Sequence, residues 1–408
     1  MSADVDGIQD NQESEEYEEQ DFSFSDKGLS DGQLDNLYEK GRFRLIQERN
    51  DFMLPQIHDY VAKDNWVNTR PDYQRRLRWS PTKKSALIES FLMNIPVPPV
   101  FLYEGDINRY EVMDGQQRIS TIVDFYENGF KLSGLKAWPA LNGKTYRSLP
   151  SKIKRGLDRA KISAHILLAD SFETSPQIDD IRTIVFDRLN TGGEKLNAQE
   201  LRNALYTGRF SKMLIKIASS KDFTEVWGIP LHRDNKDENG LPNAALSRNS
   251  LFKTMKDCEI VLRFYAFRDE KKITGSIRKI LDVCAKENRM VSDDILEVWE
   301  QEYFSAIALC NDLFDDQVFR LPPNQQGVQV LSRPLSDALM VAAHKFANHK
   351  DDIIAAKDCV RRNLAAKLDT DEGYSLIVGR INTADSVKER ITTMIKLFEE
   401  AINEHQNN

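Results

Sequence analysis

The sequence predicts an α+β N-terminal part, to about residue 170, followed by an all-helical remainder. Three observations predict this division. Short apolar runs of strand length, at 100–103, 110–113 and 162–168, fall in the first part and are bounded by prolines, glycines or polar turns. From about residue 178, apolar residues recur instead at three- and four-residue spacing, in 178–189, 251–267, 295–309, 335–346 and 387–402. No fixed-period repeat runs through the chain.

Taken in order, helical patterning covers 33–48 and again 51–62. Residues 66–70 read as a strand closed by Pro71. Pro81 opens a helix through Asn94, because the fixed φ of proline suits a first helical turn. Ala86, Leu87, Phe91 and Leu92 lie near one another on that helix. The run Ile95-Pro96-Val97-Pro98-Pro99 ends it and feeds the strand at 100–103. A turn at 106–108, a strand at 110–113 and a helix at 119–126 follow. Strand, short polar turn, helix is a context in which a turn can bind a ligand. Residues 129–150 carry the breakers Gly129, Gly134, Pro139, Gly143 and Pro150 and are expected to be irregular. The expected organisation is an acidic disordered tail over 1–30, a domain over 31–206 and a helical domain over 207–408.

Composition narrows the class. With 408 residues, 40% hydrophobic and 29% charged, the chain can bury sizeable cores without disulfides or metals. The longest unbroken apolar run, 338–343, is far short of the roughly 18 to 20 residues a membrane span needs. Residues 1–20 have neither the basic start nor the apolar core of a signal peptide, so a cytoplasmic setting is expected. Cys258, Cys284, Cys310 and Cys359 lie 26, 26 and 49 residues apart, which fits neither a zinc knuckle nor a redox pair and predicts reduced thiols. Residues 1–26 hold ten acids and no Lys or Arg, so the net charge of -8 leaves the remaining chain at +2. Such a tail either solvates and repels, or screens a basic groove and competes with nucleic acid for it.

Three segments carry chemistry. The first is Tyr110-Glu111-Val112-Met113-Asp114-Gly115-Gln116-Gln117-Arg118-Ile119-Ser120-Thr121. Gly115 permits a tight turn and close backbone approach. The helix after it presents unpaired N–H groups and the positive end of its dipole, a seat for phosphate. Arg118 adds a bidentate cation for phosphate oxygens. Asp114 could hold a ribose hydroxyl, a metal or Arg118 itself, and Gln116 and Gln117 offer amides. The bland alternative is a common Asp-Gly turn with a surface ion pair. In the second segment, Arg70, Arg75, Arg76 and Arg78 are interleaved with Tyr73 and Trp79, around Gln74. That mixture suits phosphate contact with base stacking, or equally an exposed basic turn. In the third, 186–204, Asn190 and Gly192 can end a helix, and Asn197 with Glu200 has capping-box spacing. A plain helix connector gives no reason for Arg188, Arg202 and Asn203 to flank the loop.

Together the segments resemble one family: Pro71-x-Tyr73-Gln74-Arg75 with Trp79, Asn94 to Pro98, Asp114-Gly115-Gln116-Gln117-Arg118, Arg188-Leu189-Asn190-x-Gly-Gly, and Glu200-Leu201-Arg202-Asn203. This looks like the N-terminal domain of GmrSD-type, modification-dependent restriction enzymes. It is also similar to the sensor half of SspE-type and BrxU-type phage-defence proteins. The resemblance covers about 56–206. It implies a ParB/sulfiredoxin-like nucleotide-binding fold, with Asp114 and Arg118 supporting NTP hydrolysis. Tyr73, Gln74, Arg75, Gly115, Gln116, Gln117, Thr121, Arg188 and Asn190 would then line the nucleotide pocket; Arg70, Arg76, Arg78 and Trp79 are expected to contact DNA from their own basic and aromatic character. The NTP's identity stays open, and Asp114 or Glu111 could position a divalent ion such as Mg2+. In the restriction members a separate C-terminal HNH nuclease cuts.

The chain departs from those members there. Its six histidines include one close pair beyond residue 300, His344 and His349, whose spacing places them on different helix faces as surface residues. An HNH metal site is therefore not expected. Neither the thiol of a sulfiredoxin nor the Gly-Glu-Arg-Arg signature of a partition ParB is present in the turn. Three readings follow: an NTP-hydrolysing sensor whose nuclease or other effector is a separate protein; a non-enzymatic ParB-like DNA-binding protein with a nucleotide switch; or a protein-interaction module with a vestigial pocket.

Overall fold

The computed structural model describes residues 28–39, 47–68, 79–168, 185, 188–189, 197–236, 242–323, 327–378 and 383–407. Its compact units lie within Gln20–Leu196 and Asn197–Asn408. The compactness division falls at Asn197, within ten residues of the boundary expected after Tyr206. The acidic residues of 1–26 lie outside the described residues.

The first unit carries helices α1 (Asp31–Glu39), α2 (Leu54–Ala62), α3 (Pro81–Leu92), α4 (Gln116–Tyr126) and α5 (Ser151–Asp158). Its strands are β1 (Gln47–Met53), β2 (Val67–Asn68), β3 (Val100–Asp106), β4 (Arg109–Asp114) and β5 (Lys161–Leu168), in the spatial order β1-β5-β3-β4-β2. The β1/β5 and β3/β4 pairs are antiparallel; β5/β3 and β4/β2 are parallel. Alternation along each strand gives the sheet two unlike faces. Val100, Leu102, Val112, Ile162, Ala164 and Ile166 are buried on one, in the core with Ile57 of α2, Ile88 and Phe91 of α3, Ile119, Ile122 and Phe125 of α4, and Leu157 of α5. The register places Arg49, Phe101, Tyr103, Glu111, Ser163 and His165 on the other.

The expected helices at 33–48 and 51–62 are corrected where the described residues reach them: α1 is described over Asp31–Glu39, 40–46 lie outside the described residues, and Gln47–Met53 is an edge strand. Pro55 lies in the first turn of α2, and Gln56 Oε1 accepts the Met53 N–H at 2.8 Å, which fixes the helix start. The seven residues before it pair one for one with β5, so non-local pairing overrides the local helical pattern. The helix α4 also begins three residues earlier than the sequence pattern indicated, because Gly115 makes the whole turn. Of the expected strand at 66–70, Val67–Asn68 pairs with β4, and 69–70 lie outside the described residues.

The irregular stretch 129–150 is pinned from α3. Glu89 is buried, and its carboxylate accepts the N–H groups of Ala137 (2.8 Å), Trp138 (2.9 Å) and Lys136 (3.3 Å). Burial alone would raise its pKa, but the three donors outweigh it and hold the carboxyl below its ordinary value. Glu89→Ala is expected to cost about 1–3 kcal/mol by orphaning those donors, measured by urea denaturation. A depressed carboxylate contributes stability above its unfolded pKa, about 4.3, and loses it as pH falls through the folded value. The gap between wild type and variant should therefore be full at neutral pH and close on acidification.

The second unit is helical, with isolated bridges but no named strand among the described residues. Its helices are α6 (Ala198–Leu205), α7 (Arg209–Ala218), α8 (Lys221–Trp227), α9 (Ala244–Arg248), α10 (Ser250–Lys253), α11 (Lys256–Phe267), α12 (Ile277–Asn288), α13 (Asp293–Phe314), α14 (Arg333–Lys345), α15 (Lys350–Ala355), α16 (Lys357–Leu368), α17 (Asp371–Val378) and α18 (Ala384–Asn407). The single helix expected over 251–267 is interrupted at Met255, whose φ is 57°. All four cysteines are free and buried, and burial pushes the Cys284 thiol up to about 11. His344 is not a surface residue: it is half-buried, packs edge-on to Phe264 and has its pKa lowered by burial, whereas His349 is exposed. Among the described residues, no helix is long and apolar enough to cross a membrane.

Candidate functional site

The turn between β4 and α4 is built by one glycine. Gly115 takes φ 92° and ψ 12°, the left-handed region, and serves as the N-cap of α4. Space as well as torsion demands glycine there: a Cβ would stand 2.5 Å from Val100 Cγ1 and 2.9 Å from Arg118 Nη2. Gly115→Ala is expected to destabilise the first unit by about 1–2 kcal/mol from the torsion alone, with the clash added, visible as a lowered midpoint in thermal melting. Gly115 has no side chain with which to cap the first turn of α4, whose leading N–H groups have no acceptor inside the helix itself.

Asp114 and Arg118 flank this turn as an i,i+4 pair. Arg118 Nη2 donates to Asp114 Oδ2 at 2.6 Å and to the Pro99 carbonyl at 3.3 Å. Of the roles open to Asp114, holding Arg118 is the one realised. Two polar atoms of α4 are buried without a hydrogen-bond partner among the described residues: Arg118 Nε and Thr121 Oγ1. Gln117 Oε1 accepts the backbone N–H of Trp79 at 3.2 Å. That bond brings the end of the Pro71-to-Trp79 segment to the start of α4, while Lys83 Nζ sits 4.9 Å from the Trp79 ring centroid.

A bulge decides where Glu111 belongs. Asp114 pairs with Phe101, but Val112 pairs with Leu102, so Met113 is an extra residue in β4. Glu111 pairs with Tyr103. Phe101 and Tyr103 share a face, so Asp114 and Glu111 share it too. His165, stacked on Phe101 with ring centroids 5.1 Å apart, lies on that face, as does Arg49, its partner across β1 and β5. Sequence reading passed over Arg49, Tyr103 and His165 as site residues. The signal was weak, since each becomes a neighbour of the turn only through the sheet register.

Arg188 is helical and exposed. Arg70, Tyr73, Gln74, Arg75, Arg76, Arg78 and Asn190 lie outside the described residues. Arg202 and Asn203, whose place beside the loop had no explanation, are structural. Asn197 caps α6, accepting the N–H groups of Gln199 and Glu200, while Glu200 Oε2 takes the Asn197 N–H at 2.9 Å. Arg202 is buried and reaches Glu259 of α11 at 2.9 Å and Asp282 of α12 at 2.6 Å. Asn203 bonds Gln199 and the Met255 sulfur.

No group of three His, Cys, Asp or Glu side chains is placed to hold a metal among the described residues. Asp114 is already committed to Arg118. Among the described residues this donor set does not fit a divalent ion held by protein ligands.

Fold and turn thus define an α+β domain with a glycine-started helix beside an Asp–Arg pair. Residues 57–207 match the family model described as GmrSD restriction endonuclease, N-terminal domain. The match leaves 208–408 uncovered. No curated protein and no solved structure matches the chain.

Proposed function

We propose that this protein is a nucleotide-dependent sensor of a restriction or phage-defence system, binding and hydrolysing a nucleoside triphosphate at the turn of Asp114 to Arg118. The observation that carries the reading is the pair of polar atoms on α4, Arg118 Nε and Thr121 Oγ1, that are buried with no hydrogen-bond partner among the described residues, on a helix whose N-cap glycine offers no side-chain acceptor. Buried unsatisfied groups are rare in native structures, and a phosphate would supply acceptors for both. The matched restriction-endonuclease domain supports the setting. Strand, left-handed glycine and helix in succession support the ParB/sulfiredoxin-like relationship. Phosphate oxygens would rest on the first N–H groups of α4, with Arg118 neutralising charge that builds on the transferred group. Trp79, tied to Gln117, and the neighbouring Arg70, Arg76 and Arg78 would report DNA engagement to the turn. Cutting is assigned to a separate nuclease or other effector. The test is phosphate release from each of the four NTPs by the full chain, with and without DNA. Turnover stimulated by DNA is the expected result, and no turnover from any of them sinks the enzymatic reading.

A further inference from the structure

Two clefts in the helical unit share a wall made by Arg268 and Asp269. The smaller, about 150 Å³, is lined by Tyr265, Ala266, Ile280, Val283, Cys284 and Trp299, with Lys272 and Asn288 beside the shared pair. It is largely aromatic and apolar, and a cavity of that size takes one benzene-sized ring. The larger, about 490 Å³ and open, is lined by Lys271, Lys345 and Lys388, with Glu270 and the shared pair. Arg268 fixes the wall between them: its guanidinium carbon lies 4.2 Å from the Trp299 ring centroid, and Nη1 donates to Glu302 Oε2 at 2.7 Å. Tyr265 stacks on Trp299 with centroids 5.7 Å apart and donates its hydroxyl to the Trp299 carbonyl.

The three lysines come from a turn after α11, the last turn of α14 and the start of α18. None has a carboxylate partner among the described residues, although Lys388 is half-buried. Of the two acids in the cleft, Asp269 already caps the Lys271 N–H. Like charges gathered in one concavity repel, and an anion bound among them removes that cost. A charged cleft opening beside a slot for a single ring is the shape of a nucleotide.

We infer that the paired clefts bind a pyrimidine nucleoside phosphate, the ring in the apolar slot and the phosphate on Lys271, Lys345 and Lys388. A free mononucleotide and one residue of a single strand share that chemistry. The inference does not rest on the NTP reading, since every residue it uses lies in the helical unit.

The full chain is titrated at low and high salt with UMP, CMP, AMP, oligothymidylate and an abasic strand of equal length. The same titrations are made with K345E/K388E and with Val283→Trp, which fills the slot from an exposed position. Binding of UMP or CMP identifies a free nucleotide, and binding of oligothymidylate alone identifies a strand. In either case K345E/K388E weakens binding roughly tenfold and lowers the salt slope by about two. Val283→Trp abolishes the preference for thymidylate over the abasic strand. The inference is overturned if no pyrimidine ligand binds, if K345E/K388E binds like wild type, or if AMP or the abasic strand binds as tightly as its pyrimidine counterpart.

Discussion

Replacing Arg118 by alanine is expected to lower NTP turnover by about 10²–10³-fold, the usual effect of removing a preorganised group that stabilises transition-state charge. The geometry makes this separable from unfolding. The ion pair it breaks is a partly exposed i,i+4 contact, with side chains 15% and 36% accessible, and such pairs contribute about 0–1 kcal/mol. Asp114 loses its partner but can be hydrated. The thermal midpoint should therefore move by a few degrees at most while phosphate release collapses. Arg118→Lys retains the charge without the fork, so it should restore nucleotide binding better than turnover. Asp114→Asn frees Arg118 from its tether and should weaken turnover through misplacement, with binding largely kept. Phosphate release that persisted in Arg118→Ala would show that the turn does not perform hydrolysis.

The parts of this site legible in the sequence are those fixed by neighbours in the chain. Gly115 between an apolar strand and an amphipathic helix announced a strand–turn–helix because the torsion, the helix start and the Asp114–Arg118 spacing are all local. The capping box of Asn197 and Glu200 was legible for the same reason. What failed depended on partners far along the chain. β1 read as helix because its ladder is completed by residues more than a hundred positions later. The bulge at Met113, which sets Glu111 beside Asp114, exists only relative to β3. Arg202 looked like a flanking site residue because its carboxylates come from positions 57 and 80 residues away.

Arg202→Ala is expected to destabilise the helical unit by about 3–5 kcal/mol, the range for breaking a buried ion pair from one side. The side chain is 3% exposed and clamps three helices, α6, α11 and α12. Burial opposes the charge of Arg202, but Asp282 and Glu259 overcome it and raise its pKa. Burial would likewise raise Glu259; Arg202, Arg263 and Arg333 reverse that and hold it below the carboxylate range. The sign follows from linkage. Glu259 contributes stability above its unfolded pKa of about 4.3, and that contribution disappears as pH falls through the folded value. Arg202 stays charged throughout and adds no slope of its own. Removing it leaves Glu259 with fewer cations, so its folded pKa rises and the acid unfolding transition should move to higher pH. Urea unfolding of Arg202→Ala and Arg202→Met across pH 3–7, about the window in which carboxylates titrate, separates charge from packing. Methionine refills the volume of the alkyl stem, so equal losses in both variants would assign the cost to the uncompensated carboxylates. Near wild-type stability in Arg202→Met would instead assign it to packing and remove the ion cluster as the clamp between α6 and its neighbours.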